Sequence, residues 1–137
     1  MAVTALHTFG WLKEEELLPQ IKSFLHDEEL AKTTKRYDSV DFISSTHSAE
    51  LKARRRQDAK GRTILSSTYD DWLIPACKIG ASKSLRECYF YFFEGDSTLW
   101  YLWKDEVDWK DIRCEVPWFH TQLHYYVPSN LWRRVEC

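Results

Sequence analysis

The sequence predicts a mixed α/β domain in which helices cover a central β-sheet. Three observations predict it. One amphipathic stretch near the N-terminus has helical periodicity. Several short β-prone runs follow it. Aromatic residues are skewed to the C-terminal half, with five in residues 1–68 and sixteen in residues 69–137. At 137 residues, 44% hydrophobic and 29% charged, the chain suits one domain, 1–137, with one core.

Residues 12–31 read as the first helix. Leu17, Leu18, Ile21, Phe24 and Leu25 fall on one face at 3.6-residue spacing, with Glu14, Glu15, Glu16, Lys22, Asp27 and Glu28 elsewhere. Pro19 either starts the main helix or kinks it. The run from Tyr37 to Ile43 is β-prone, Ser44 to His47 is turn-like, and Ser48 to Arg54 is a second extended run. Residues 55–68 are polar and read as an exposed loop. Trp72-Leu73-Ile74 is a brief strand stopped by Pro75, and residues 76–86 are compatible with a second helix despite Gly80. The aromatic run from Glu87 to Phe93 and the run from Thr98 to Trp103 flank a tight turn, Glu94 to Ser97, and form a hairpin. Residues 104–117 are polar and irregular, and Leu123 to Val127 is a last strand ended by Pro128. Aromatic strands of this density fill cores more often than they stack on bases.

Charge excludes some functions. The net charge is −2, which disfavours a purely electrostatic nucleic-acid binder. The average hides a segment: residues 31–62 carry nine basic and four acidic side chains, so that stretch is +5 and the remainder −7. Cys77, Cys88, Cys114 and Cys137 are too sparse for a disulfide scaffold and fit no zinc spacing, so reduced thiols are expected. His120 and His124 are four apart with no third ligand near them in sequence. No apolar run nears the roughly 20 residues of a membrane span. Residues 1–11 have no basic n-region. The expected location is intracellular, in the cytoplasm or nucleus of a host cell, with no membrane partner.

One constellation carries chemistry. Asp41 sits in the first strand of the 37–54 hairpin, and Glu50 and Lys52 in the second, with Leu51 turned the other way. With Ser45-Thr46 as a two-residue loop, Asp41 lies opposite Glu50, with Cβ atoms about 5 Å apart. With the turn slipped by one residue at each end, it lies opposite Lys52. In both registers the three side chains share a face. Facing carboxylates repel unless a cation sits between them. Mg²⁺ takes oxygen ligands, and a neighbouring lysine can orient water or stabilise charge on a phosphate. The set suits metal-assisted attack of water on a phosphodiester. The plainer alternative is a salt-bridged surface hairpin that binds nothing. Arg54-Arg55-Arg56 follows directly, where a phosphate backbone would pass.

The hairpin resembles the PD-(D/E)XK nuclease superfamily, and most of all the small stand-alone members encoded by phages and large DNA viruses. The residues that carry the resemblance are Asp41-Phe42-Ile43, then Glu50-Leu51-Lys52-Ala53-Arg54, with weaker matches at Leu73-Ile74-Pro75-Ala76-Cys77-Lys78 and His124-Tyr125-Tyr126-Val127-Pro128. It spans roughly residues 12–128, although only 37–54 is specific. Val40 replaces the usual proline, and Asp38 competes with Asp41 for the acidic position. The resemblance implies a restriction-endonuclease-like core of order αβββαβ, with a central mixed sheet flanked by helices. It also implies a Mg²⁺- or Mn²⁺-dependent deoxyribonuclease. In that reading Asp41, Glu50 and the Leu51 carbonyl hold the metal, and Lys52 is the catalytic lysine. Glu16, or its neighbour Glu15, is the acidic residue of the first helix. Arg54, Arg55, Arg56, Lys60 and Arg62 grip DNA phosphates, and Lys78 makes a further phosphate contact. The DNA could be branched or single-stranded. Two alternatives stand beside it. One is a non-catalytic module of the same fold, or a viral inhibitor protein, using the Trp-rich acidic stretch 94–119. The other is a Holliday-junction-type resolvase working as a homodimer.

Overall fold

A computed structural model describes residues 5–33, 40–82 and 84–136, with the backbone alone for residues 5–8. It contains one helix, α1 (Ala5–Leu25), and nine strands: β1 (Ala31–Lys32), β2 (Phe42–Ile43), β3 (His47–Arg54), β4 (Asp71–Pro75), β5 (Arg86–Phe93), β6 (Thr98–Trp103), β7 (Cys114–Glu115), β8 (His124–Pro128) and β9 (Arg133–Arg134). Six strands form the main sheet in the order β1-β2-β3-β5-β6-β9, and β4-β8-β7 form a second sheet. Among the described residues only the β3–β5 pairing is parallel. The mixed α/β class is therefore as expected. No helix among the described residues is long and apolar enough to cross a membrane.

β5 explains the layering. Its side chains from Glu87 to Phe93 are all buried, so both faces of the sheet are covered. Cys88, Phe90 and Phe92 meet Leu17, Ile21 and Leu25 of α1, together with Phe42, Ala49 and Leu51. Tyr89, Tyr91 and Phe93 point the other way, against Trp72, Ile74, Val127 and Trp132 of the second sheet and its flank. The aromatic skew is thus mostly core. The Trp72 ring alone packs on Tyr91, Phe93, Trp100 and Trp132.

Several elements differ from expectation. The helix spans residues 5–25 rather than 12–31, with Pro19 inside it. It ends because His26 adopts φ 52°: its N–H donates to the Ser23 carbonyl and that of Asp27 to the Lys22 carbonyl, which closes the last turn. Glycine holds this conformation without strain. His26→Gly is expected to stabilise the fold by about 1 kcal/mol, read as a higher urea midpoint. The second helix, predicted over 76–86, is replaced by a single 3₁₀ turn at Ala76–Lys78. Gly80 at φ 75° breaks any continuation, and Trp72, Ile74 and Val127 of the second sheet pack on the Tyr89, Tyr91 and Phe93 face of β5. Most of the β-prone run before Asp41, with Asp38, lies outside the described residues. Cys77, Cys88 and Cys114 are free thiols, and burial pushes the Cys88 thiol up.

Candidate nuclease-like site

The β2–β3 turn takes the two-residue form. Phe42 pairs with Ala49 and Ile43 with Ser48, and the Ser44 N–H donates to the His47 carbonyl at 2.9 Å. Asp27, two residues beyond α1, staples this turn in place. Its carboxylate accepts from the Ser44 and Thr46 hydroxyls and contacts His47 Nδ1 at 2.8 Å. The Ser44 bond first, against burial, holds its pKa below the usual carboxylate range.

At the other end of the hairpin, β2 and β3 part. The Asp41 N–H donates to the Ala49 carbonyl, although Phe42 is the residue paired with Ala49. Two residues thus crowd one partner, as in a β-bulge, a device that re-aims side chains. The Asp41 carboxylate turns onto β3, where Oδ2 accepts the Leu51 N–H at 2.8 Å. A strand residue directs its N–H and C=O to the same side. The Leu51 carbonyl therefore also faces the gap that Asp41 occupies.

Four ionisable groups meet Asp41 or one another there. Glu50 stands close enough to Asp41 to feel its negative charge. The Lys78 Nζ lies 3.5 Å from Glu50 Oε1. Lys52 stands two residues along from Glu50 on the same strand. From α1 comes Glu14, whose carboxyl feels the negative charge of Asp41. Glu16, the helical residue expected here, is instead exposed and paired with Lys13 at 2.9 Å, and Glu15 pairs with Lys32 at 3.5 Å. The correction is legible in the helix itself. Glu14 lies three, four, seven and eleven residues before Leu17, Leu18, Ile21 and Leu25, so it shares their inward face. Glu15 and Glu16 are rotated away from it.

The electrostatics describe a strained acidic cluster. Burial first, then the negative charge of Asp41, pushes Glu14 up to about 7, while Lys32 pulls it back. Burial also raises Asp41, against the Leu51 N–H and the Lys78 charge. Burial and then Asp41 raise Glu50 well above the usual range. Partial burial of the ammonium and then the charge of Arg54 lower Lys52, with Glu50 and Asp41 opposing. Three buried side-chain polar atoms among the described residues have no hydrogen-bond partner, and one of them, Glu50 Oε2, is the only carboxylate oxygen.

These shifts have a signed consequence. An acid whose pKa is raised on folding costs nothing below its unfolded value, and the cost grows as pH rises through the folded value. For Glu14 the window runs from about 4.5 to about 7. Glu14→Gln is therefore expected to match the parent near pH 4. At pH 8 it should be more stable by about 1–2 kcal/mol, after allowance for solvent screening of this half-exposed group. Thermal melts at the two pH values measure it.

The basic residues divide. Arg54 donates to the Tyr91 hydroxyl at 3.2 Å, and that hydroxyl donates to the Leu73 carbonyl at 3.1 Å, so Arg54 is anchored to both sheets. Arg55, Arg56, Lys60 and Arg62 are exposed on the following loop. That loop is ordered by Asp58, which accepts from the backbone of Lys60 and Arg62 and pairs with the Arg62 guanidinium at 2.9 Å. Lys78 sits against Glu50.

Sequence reasoning passed over His120 as a neighbour of the site. Its imidazole is lowered by burial, then by His124, then by the charges of Lys52 and Arg54. The Trp-rich acidic stretch is mostly structural. Trp100 packs on Trp72, Trp109 sits between Tyr89 and Tyr125, and Arg86 stacks on Trp103 at 3.7 Å. Asp105, Asp108 and Glu115 pair with Arg86, Lys110 and Arg113. Trp118 is the exception, 94% exposed.

No protein-family model, curated protein or solved structure matches this chain.

Proposed function

We propose that this chain is a divalent-metal-dependent nuclease of the PD-(D/E)XK type that hydrolyses DNA phosphodiester bonds. The observation that carries the reading is the buried, unpartnered Oε2 of Glu50 beside the Asp41 carboxylate. A fold that keeps two mutually repelling carboxyls, with a third from α1, is holding a charge deficit that a hard cation would fill. The donors fit Mg²⁺ or Mn²⁺: all are oxygens, and Mg²⁺ is commonly held by one or two carboxylates with the rest of its shell from water and phosphate. Among the described residues no three His, Cys, Asp or Glu side chains are grouped to hold an ion by themselves, so water and phosphate would have to complete its shell.

Asp41, Glu50 and the Leu51 carbonyl would hold the ion, with Glu14 behind Asp41. When bound, such an ion supplies Lewis acidity to the phosphate and lowers the pKa of water. The chain's own residues do the remaining work. The Leu51 N–H fixes the Asp41 carboxylate in one orientation. Lys52, whose ammonium is more easily deprotonated than usual, orients the water or stabilises charge on the phosphate. Lys78 holds Glu50 Oε1 and leaves Oε2 free of it. Arg54 and the exposed Arg55, Arg56, Lys60 and Arg62 position backbone phosphates without reading sequence. The arrangement departs from αβββαβ in lacking the second helix among the described residues; the second sheet stands in its place.

Cleavage of plasmid and of branched DNA with Mg²⁺ tests the reading. Glu50→Ala and Lys52→Ala should each abolish cutting while the circular dichroism stays that of the parent. Undiminished cutting by both variants would sink it.

A further inference from the structure

The loop between β7 and β8 exposes apolar surface that the core does not use. Trp118 is 94% exposed, Phe119 55%, and Val116 and Leu123 52% each. Its rings are in sequence contact: Trp118 on Phe119 at 5.3 Å, Phe119 on His120 at 4.9 Å, and His120 stacked on His124 at 4.4 Å. His124 is buried, and its Nδ1 lies 2.9 Å from the Gln122 carbonyl. The result is a ladder of rings that starts in the core and ends in solvent.

The ladder stands beside the carboxylate cluster. His124 pairs with Pro75, and the Ala76 N–H donates to the Leu123 carbonyl at 2.9 Å. Two residues on, Lys78 reaches Glu50. On the same side, Lys52 and Arg54 lie close enough for their charges to be felt at His120. Cations that suit phosphates and aromatic faces that suit bases are thus adjacent, the composition of a single-strand site.

We infer that the 116–123 loop is a stacking platform for unpaired nucleotides, so that the strand entering the Asp41–Glu50 site does so single-stranded. A duplex offers phosphates to Arg54 and its neighbours but hides its base faces, leaving Trp118 and Phe119 with no partner in it. What happens to the bound strand rests on the nuclease reading; the binding itself does not.

The test uses the full chain, with EDTA present so that nothing is cut. The probes are fluorescein-labelled oligo(dT) and a labelled blunt duplex of equal length, followed by anisotropy. The parent should prefer the single strand, with tryptophan emission quenched on binding. Trp118→Ala/Phe119→Ala removes two exposed rings and leaves the core alone. It should weaken single-strand binding by about tenfold or more and leave duplex binding within about twofold. Equal binding of both probes by the parent, or single-strand binding unchanged in the variant, overturns the inference. So does a sizing column that shows the parent as a dimer and the variant as a monomer, because the rings are then covered by a second copy. The two readings fail separately. Mg²⁺-dependent cutting that needs Glu50 but ignores both strandedness and Trp118 leaves the nuclease and removes the platform. A ring-dependent single-strand preference in a protein that never cuts does the reverse.

Discussion

Glu50→Gln is expected to yield a protein that melts higher than the parent at pH 8 yet has lost DNA cleavage by a factor on the order of 10³ or more. The two effects share one cause. Glu50 is buried beside Asp41 with one oxygen unpartnered, so its charged form is disfavoured in the folded chain. Its pKa is raised, and the cost is therefore absent at low pH and complete well above the folded value. Removing the charge relieves that cost at pH 8, partly offset because Lys78 loses its ion-pair partner. Near pH 4 the variant and parent should melt together. A purely structural ion pair predicts the opposite sign at pH 8, since breaking it would destabilise. Thermal melts at both pH values, alongside a cleavage time course, separate the two.

The largest effect on stability is expected from Gly95→Ala. Gly95 lies in the turn between β5 and β6, and a Cβ there would stand 2.1 Å from the Ile64 carbonyl oxygen and 3.1 Å from a Leu65 methyl. The closest atom is backbone, so no side chain can move aside. Ile64 is itself pinned: it is buried, and its N–H donates to the Arg56 carbonyl at 2.8 Å. Next to it, the Ser66 N–H and hydroxyl donate to Asp96 at 2.9 and 2.6 Å. The turn and the basic loop must separate, at about 2–3 kcal/mol. Urea denaturation should show the midpoint fall with the slope unchanged. The loop carrying Arg55, Arg56, Lys60 and Arg62 should also become more open to proteolysis. A variant with the parent's midpoint would mean that the loop is not held there.

Much of this was legible in the sequence, for physical reasons that differ by element. The β5–β6 hairpin was legible because five consecutive aromatics from Tyr89 to Phe93, a Gly-Asp-Ser turn and a matching aromatic run all point to one pairing. The β2–β3 register was one of two open alternatives, and the two-residue turn with its Ser44–His47 bond is the one formed; the bulge at Asp41, which ends the ladder at Phe42–Ala49, was not legible. The helix at 76–86 was misread because local propensity there is weak either way. Gly80 at positive φ and the pairing of β4 with β8 decide it, and neither is visible locally. Glu14 was legible and passed over: a carboxylate in phase with Leu17, Ile21 and Leu25 must face inward, whereas closeness along the chain to the hairpin favours Glu16 only if rotation about the helix axis is ignored. The second sheet was not legible at all. β4 and β8 are about fifty residues apart, and nothing in either strand specifies the other.

The central claim is that Asp41 and Glu50 together hold a divalent cation. A crystal soaked in millimolar Mn²⁺, with data collected at the manganese absorption edge, tests it most directly. The account predicts anomalous density between the Asp41 and Glu50 carboxylates, and none there in a Glu50→Gln crystal. Saturating Mn²⁺ with no density between the two carboxylates, and Glu50 still paired with Lys78, would contradict it.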